Sequence, residues 1–352
     1  MQFHRILRVF ALLILGLGCI KASFAAEKDI SFEADNVMIN EEDGSLFATG
    51  NVVMTQAGMT LKRAGARGYT GTLVGFEGVE IAYLSAAEIA ARLRDGSVHF
   101  GITGEDLLRE EVSDLESIIQ IVMPLGFGHA DVVVAIPNSW VDVATMADLA
   151  EVASDFRLHK GRLMRVATKY IHLATDYFAA NDVQDIQIVT SFGATEGAPA
   201  SGAAEAIVDI TSTGATLAAN NLCVPEDGVI LKSQANLAAA LKANWSPEAL
   251  SAAKQILARL SAFQRAADML EVKFNAGGDK VSQDALKVFG AVTISLTNTH
   301  DGQFVTLLID RPQLQNITEF LATKQIGMTV SKPDFVFSPR NELFERLAGA
   351  IL

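Results

Sequence analysis

The stretch that most restricts the fold is AIVDITSTGATLAANNL, residues 206–222, in which an apolar β-branched run passes directly into hydroxyl side chains and a glycine. A run of this kind reads as a buried strand. A buried strand that reaches a helix through a short polar turn belongs to α/β architecture, where strand carboxyl ends collect ligands. Thr211, Ser212, Thr213 and Thr216 supply hydroxyls, and Gly214 lets the backbone approach a ligand closely before the helix TLAANNL, which begins at Thr216. Backbone N–H groups at a helix N-terminus carry about half a positive charge and suit an anion, a phosphate best of all. Asp209, at the strand end, suits ribose hydroxyls or a phosphate-bound magnesium ion. The same residues also fit a Ser/Thr-rich turn that only caps an ordinary helix.

Upstream, VEIAYLSAAEIAARLRDGSVHFGITGEDLL (79–108) reads as strand, helix and strand. Ser85 is the expected N-cap with Glu88 completing a capping box, and Gly96 closes the helix. A crossover of this length predicts that the two strands pair in parallel. GITGED, with Gly101, Thr103, Gly104 and Asp106, is then a loop at a strand's carboxyl end; the alternative is a turn whose acids cap the helix DLLREE. A second unit runs through ADVVVAI (130–136) and an amphipathic helix with Ile171, Ala174 and Phe178 on one stripe. Chain crossings near Ala130 and Leu222 predict two lobes around a cleft suited to a small polar ligand.

The chain of 352 residues is half hydrophobic, enough for two or three domains. Its net charge of −13 without a basic cluster excludes nucleic acid as a partner. Two cysteines and scattered histidines show no metal-ligand spacing. Residues 1–25 carry Arg5 and Arg8, an apolar run from Val9 to Ile20 and small residues at Ser23 and Ala25, the parts of an export signal. That run falls short of a ~30 Å hydrocarbon core, so no stable membrane anchor is expected. Residues 26–56 alternate as short antiparallel strands (Ile30, Phe32; Val37, Ile39; Val52, Met54), and Ala34-Asp35-Asn36 with Gly50-Asn51-Val52 resembles the start of the lipopolysaccharide-transport and organic-solvent-tolerance family. In the tail, SPEALSAAKQILARLSAFQRAADMLEVKFNA predicts a pair of helical stretches and FVTLLID a strand. RPQLQNITEFLATKQIG predicts a helix with Pro312 in its first turn, Leu314, Ile317 and Leu321 inward and Gly327 as C-cap, and MTVSKPDFVFS a returning strand.

GITGEDLL, LGFGHADVVVAIP, RVATKY, GATEGAP and AIVDITSTGATLAANNL, in this order, resemble the ATP phosphoribosyltransferase family. The resemblance implies a two-lobed core like type II periplasmic binding proteins, a small α+β ferredoxin-like C-terminal module, and the first reaction of histidine biosynthesis. In that reaction N1 of ATP displaces pyrophosphate from phosphoribosyl pyrophosphate with Mg2+. It further implies Asp209 and Glu196 as catalytic residues, with Asp209 also meeting magnesium through the substrate. Thr211, Ser212, Thr213, Gly214, Ala215 and Thr216 would cradle the 5-phosphate, Lys169 would face the cleft, and Gly101, Thr103, Gly104 and Asp106 would line the opposite lobe. The domain limits expected are 57–130 with 222–245 for one lobe, 131–221 for the other and 246–352 for linker and module. The family's opening strand and basic P-x-K-G-R loop are not found before Ala57. That difference removes anion contacts of about 1.5–3 kcal/mol each and puts activity in question. The family implies a cytoplasmic homo-oligomer with a histidine effector or regulatory subunit, whereas the leader points to the periplasm. A periplasmic solute-binding protein and a lipopolysaccharide-transport component stand as the alternative readings.

Overall fold

The computed structural model describes residues 37–39, 46–48, 57–63, 70–277, 281, 284–285, 292–299 and 302–351. The export signal expected at 1–25 lies outside them, as do Ile30, Phe32, Val52 and Met54. Of the strands expected in 26–56, the one at Val37 and Ile39 is described as β1 (Val37–Ile39), and it pairs antiparallel with β2 (Leu46–Ala48), Val37 opposite Ala48. A second antiparallel sheet follows, β3 (Leu61–Arg63), β4 (Thr70–Leu73) and β5 (Glu80–Ala82), in that order. Helix α1 (Ala86–Asp95) starts at Ser85, whose hydroxyl accepts from Glu88 N at 3.2 Å, and stops at Gly96 with φ of 69°. The capping box is incomplete, because the Glu88 carboxylate accepts from Arg92 one turn on instead.

The first lobe is built on β6 (Phe100–Gly104), which enters helix α2 (Glu105–Glu111), and on β7 (Ile119–Pro124). The expected parallel pairing of the 79–84 strand with β6 does not form. β5 pairs only with β4, and β6, at the edge of its sheet, pairs on one side with a strand from far downstream and has no strand on its other side among the described residues. Burial explains the choice: β5 is exposed at Glu80 and Ala82, whereas five of the six residues of the incoming strand are buried.

The second lobe runs from β8 (Ala130–Pro137) through α3 (Met146–Lys160), β9 (Met164–Thr168), α4 (Ile171–Ala180), β10 (Ile186–Thr190), β11 (Ala206–Thr211), α5 (Ala215–Ala219), β12 (Leu222–Cys223) and β13 (Val229–Ser233). Its sheet has the order β10-β9-β11-β8-β12, with β13 also on β8. The apolar run of β8 is divided by its period of two. Val132, Val134 and Ile136 face α3 and α4, while Val133 and Ala135 meet Ile207 and Leu217 on the other side. Of the stripe expected on α4, Ala174 and Phe178 are buried but Ile171 is exposed. The chain returns to the first lobe at Gln234 rather than near Leu222, because β12 and β13 first add to β8. A tight turn, Gly228 N to Pro225 O at 2.9 Å, makes that addition. Strand β14 (Ala235–Ala240) then lies antiparallel between β6 and β7.

Helix α6 (Pro247–Ala267) is one continuous helix, not a pair, and packs Ile256, Leu257 and Leu260 on the first lobe's outer core. The alternation in MLEVKFN makes the rest of that segment a strand, β15 (Met269–Asn275). With β16 (Val292–Thr299), β17 (Gly302–Asp310), α7 (Leu314–Thr323) and β18 (Met328–Ser331) it forms an antiparallel sheet of order β16-β17-β15-β18, the ferredoxin-like order. Ile317 and Leu321 of α7 are buried, and Leu314 packs beside them. Pro312 sits in a short turn before α7, and the helix ends at Lys324 with Gln325 in the left-handed region, so Gly327 is not its cap. β18 stops at Ser331, short of the expected strand, since Pro333 has no N–H for a ladder. Helix α8 (Glu342–Ile351) closes the described chain with Leu347 in the core of the first lobe.

Candidate active site

Strands β9, β10 and β11 run parallel and end at one edge of the second lobe. Thr168 is level with Thr190 on one side and with Val208 on the other. The residues that follow, Lys169, Ser191 and Asp209, therefore stand in one row at the carboxyl ends, where open α/β sheets gather ligands. Lys169 is exposed, its Nζ 5.4 Å from the centre of the Tyr170 ring. Glu196 is half-buried in a single turn, Thr195–Gly197, whose loop is pinned by Thr195 Oγ1 donating to Ser191 Oγ at 3.0 Å and Ser191 Oγ donating to Gly193 O at 2.8 Å. Asp209 is half-buried opposite Val133, with Oδ1 accepting from Ile210 N at 2.8 Å.

The turn after β11 is shaped by its own hydroxyls. Thr211 Oγ1 accepts from Gly214 N at 2.9 Å, and Thr213 Oγ1 is 3.4 Å from Ala215 N. Gly214 has φ of 73°, a conformation that side chains rarely adopt. Ser212, Thr213, Ala215 and Thr216 are exposed around it. Helix α5 is shorter than the sequence suggests and ends at Asn220. Two N–H groups that the sequence aims at an anion are thus engaged by side chains, and the hydroxyls of Ser212, Thr213 and Thr216 remain on the open side.

On the first lobe, GITGED is not a loop. Residues 101–104 belong to β6, and Glu105 and Asp106 form the first turn of α2. A Cβ on Gly101 would stand 2.5 Å from Ile89 Cγ2, so this glycine lets α1 lie against the sheet. A Cβ on Gly104 would stand 2.2 Å from Asp106 Oδ1. Thr103 is buried and donates to Ala86 O at 3.0 Å. Asp106 is 5% exposed; Ser233 Oγ donates to its Oδ1 at 2.7 Å and the Tyr170 hydroxyl to its Oδ2 at 3.0 Å. Burial, followed by the adjacent Asp106 carboxylate, pushes the Tyr170 hydroxyl far above its ordinary pKa and keeps it a donor.

Sequence reasoning did not single out Tyr170, Ser233, Glu110 or His172, which join the lobes. The Glu110 carboxylate accepts from the backbone N–H of His172 at 3.0 Å and of Leu173 at 3.1 Å, and His172 Nδ1 donates to the Glu110 carbonyl at 2.7 Å. That last bond, helped by the surrounding carboxylates, raises His172 above the usual imidazole value. The only local signal was position, Tyr170 beside Lys169 and Glu110 one helical turn after Asp106. Among the described residues no three His, Cys, Asp or Glu side chains group to hold a metal ion, and no helix is long and apolar enough to cross a membrane. One carboxylate such as Asp209 fits magnesium that is otherwise held by substrate phosphates.

Comparison with known proteins identifies relatives. Residues 85–262 match the family model HisG: ATP phosphoribosyltransferase. The ATP phosphoribosyltransferase of Rhodopseudomonas palustris strain HaA2 is 47% identical over 310 residues, 87% of this chain and 95% of that protein. That of Afipia carboxidovorans is 47% identical over 308 residues, 86% of this chain and 94% of its own. A match spanning 87% of the chain is longer than the stretch from 57 to 352, so the similarity reaches upstream of residue 57. Among solved structures, the ATP phosphoribosyl transferase (HisG:HisZ) complex from Thermotoga maritima overlaps 53% of this chain and 79% of its own, at 21% identity and a TM-score of 0.39.

Proposed function

The chain belongs to the ATP phosphoribosyltransferase family, and from that premise we propose how its residues divide the work. The enzyme is a pentosyltransferase of the first step of histidine biosynthesis, joining ATP to phosphoribosyl pyrophosphate with release of pyrophosphate. The observation that carries the assignment of roles is the row Lys169, Ser191 and Asp209 at the ends of three parallel strands, with the hydroxyl-rich turn directly behind Asp209. Asp209 holds the ribose hydroxyls and meets magnesium on the substrate. Thr211, Ser212, Thr213, Gly214, Ala215 and Thr216 receive the 5-phosphate. Glu196 and Lys169 flank the reacting ring.

Displacement at the anomeric carbon passes through an oxocarbenium-like state, so no side-chain nucleophile is required. Orientation and charge stabilisation supply the rate. Family members use a metal, which we assign to magnesium; when bound with pyrophosphate it neutralises the leaving group's charge. The turn, held in shape by Thr211, offers the phosphate the exposed hydroxyls of Ser212, Thr213 and Thr216, and Gly214 N and Ala215 N join them on release from Thr211 and Thr213. Gly101, Thr103 and Gly104 support the facing lobe through packing. We also assign the enzyme to the cytoplasm, where ATP and phosphoribosyl pyrophosphate are made, as a homo-oligomer answering to histidine or a regulatory subunit. Titration calorimetry with phosphoribosyl pyrophosphate and magnesium tests the site: Asp209→Ala combined with Thr213→Ala should weaken binding by about a hundredfold or more, the value of two lost charge-assisted hydrogen bonds. Unchanged affinity in that double variant would refute the assignment.

A further inference from the structure

We propose that helix α2 is a clasp between the lobes, with Asp106 and Glu110 as positioning residues that hold Lys169 and Asp209 at the working distance from the first lobe. The two acids are four residues apart, one turn of α2, and so share one face. Both reach into the second lobe. Asp106 receives the Tyr170 hydroxyl, and Tyr170 follows Lys169 directly. Ser233, the last residue of the second lobe before the chain returns, completes the arrangement at 2.7 Å on the other Asp106 oxygen and accepts from Asp106 N at 3.1 Å.

Glu110 acts through a helix end. Tyr170, at the N-cap of α4, gives that helix no side-chain cap, and the Glu110 carboxylate supplies it from the other lobe through His172 N and Leu173 N. A negative charge at a helix N-terminus is favourable, and the Glu110 side chain is only 17% exposed, so solvent screens it little. Parting the lobes therefore uncaps α4 and strips Asp106 of its tyrosine in one event. The buried Asp106–Tyr170–Ser233 contact has two discrete states, bonded or not, and that suits it to set an angle.

The inference rests on Lys169 and Asp209 facing substrate, so the test separates the two ideas. Fluorescent labels at Glu116→Cys in the first lobe and Leu158→Cys in the second, in a background where Cys19 and Cys223 are serine, report the interlobe distance by energy transfer. Glu110→Gln and Tyr170→Phe should each broaden that distance distribution. They should also raise KM for phosphoribosyl pyrophosphate by about five- to tenfold while kcat at saturation stays within about twofold. Tyr170→Phe removes one oxygen and leaves Asp106 bonded to Ser233, so it is the variant to rely on if Glu110→Gln folds poorly. Asp209→Ala should raise KM with the distance unchanged. Unchanged distances in both clasp variants would overturn the clasp. Altered distances with unchanged KM would overturn its positioning role, and a normal KM in Asp209→Ala would instead refute the site reading.

Discussion

Protonating Glu205 should loosen the second lobe at the edge opposite the candidate site. Glu205 immediately precedes β11 at the amino ends of the parallel strands, and its carboxylate gathers Arg162 Nη2 at 2.8 Å, Arg165 Nη2 at 2.7 Å and Arg165 N at 2.8 Å. Its side chain is 12% exposed. Burial works against the charge, yet the hydrogen bonds from Arg162 and Arg165 prevail and pull the pKa from 4.5 to about 2. At 1.36 kcal/mol per unit such a shift is worth about 3 kcal/mol, and partial exposure of both guanidinium groups reduces it to about 1–2 kcal/mol. Because the folded-state pKa is depressed, this stabilisation is complete above about pH 4.5 and is lost as pH falls toward about 2. Glu205→Gln should then cost about 1–2 kcal/mol in urea denaturation at pH 7 and lose less stability than the parent between pH 5 and pH 2.5. KM for both substrates should stay within about twofold, because the site lies at the other ends of the strands. An undiminished acid slope in the variant would refute the reasoning.

Two further outcomes follow from packing and charge. Gly101→Ala sets a methyl against Ile89 and the fully buried Leu93 and should lower the urea midpoint by the equivalent of about 1–3 kcal/mol; an unchanged midpoint would mean that α1 shifts freely. His172 has a raised pKa, first through its bond to the Glu110 carbonyl, with Glu110, Asp176 and Glu111 as the facing carboxylates. Its contribution is complete below the ordinary imidazole value of 6.5 and is lost as pH rises through the higher folded value. The thermal midpoint should accordingly fall more between pH 6 and pH 8.5 in the parent than in His172→Gln, and equal falls would count against that pairing.

The parts of this fold that are legible in sequence are those fixed locally. AIVDI followed by hydroxyls and Gly214 declares a strand, a turn and a helix start within one short window, and Ser85 and Gly96 mark the ends of α1 in the same way. Strand β14 was hidden because its residues are mostly alanine, a type depleted in strands, and only burial between β6 and β7 makes it one. The parallel pairing expected for the 79–84 strand failed for the same reason: local pattern predicts that a strand exists, not which strand lies beside it. The Ser/Thr-rich turn was read correctly as a turn, but the bonds of Thr211 and Thr213 to their own backbone depend on torsions that residue types alone do not specify.

Residues that join the lobes were the least legible, and sequence distance explains why. Tyr170 meets Asp106 across 64 positions, Glu110 meets His172 across 62, and Ser233 meets Asp106 across 127. Nothing within a helix or a strand marks such partners. GITGED attracted attention as a ligand loop because glycines and acids at a strand end suit a ligand, but the same composition suits close packing and a buried hydrogen-bonded acid. Gly101 and Gly104 give room to α1 and to the Asp106 carboxylate, while Asp106 faces the other lobe. A buried carboxylate is costly unless its oxygens are satisfied, and here the satisfying groups are Ser233, at the crossover, and Tyr170, beside the site. Folding the first lobe alone would leave that acid unpaired, so assembly of the two lobes and completion of the site edge are energetically one step.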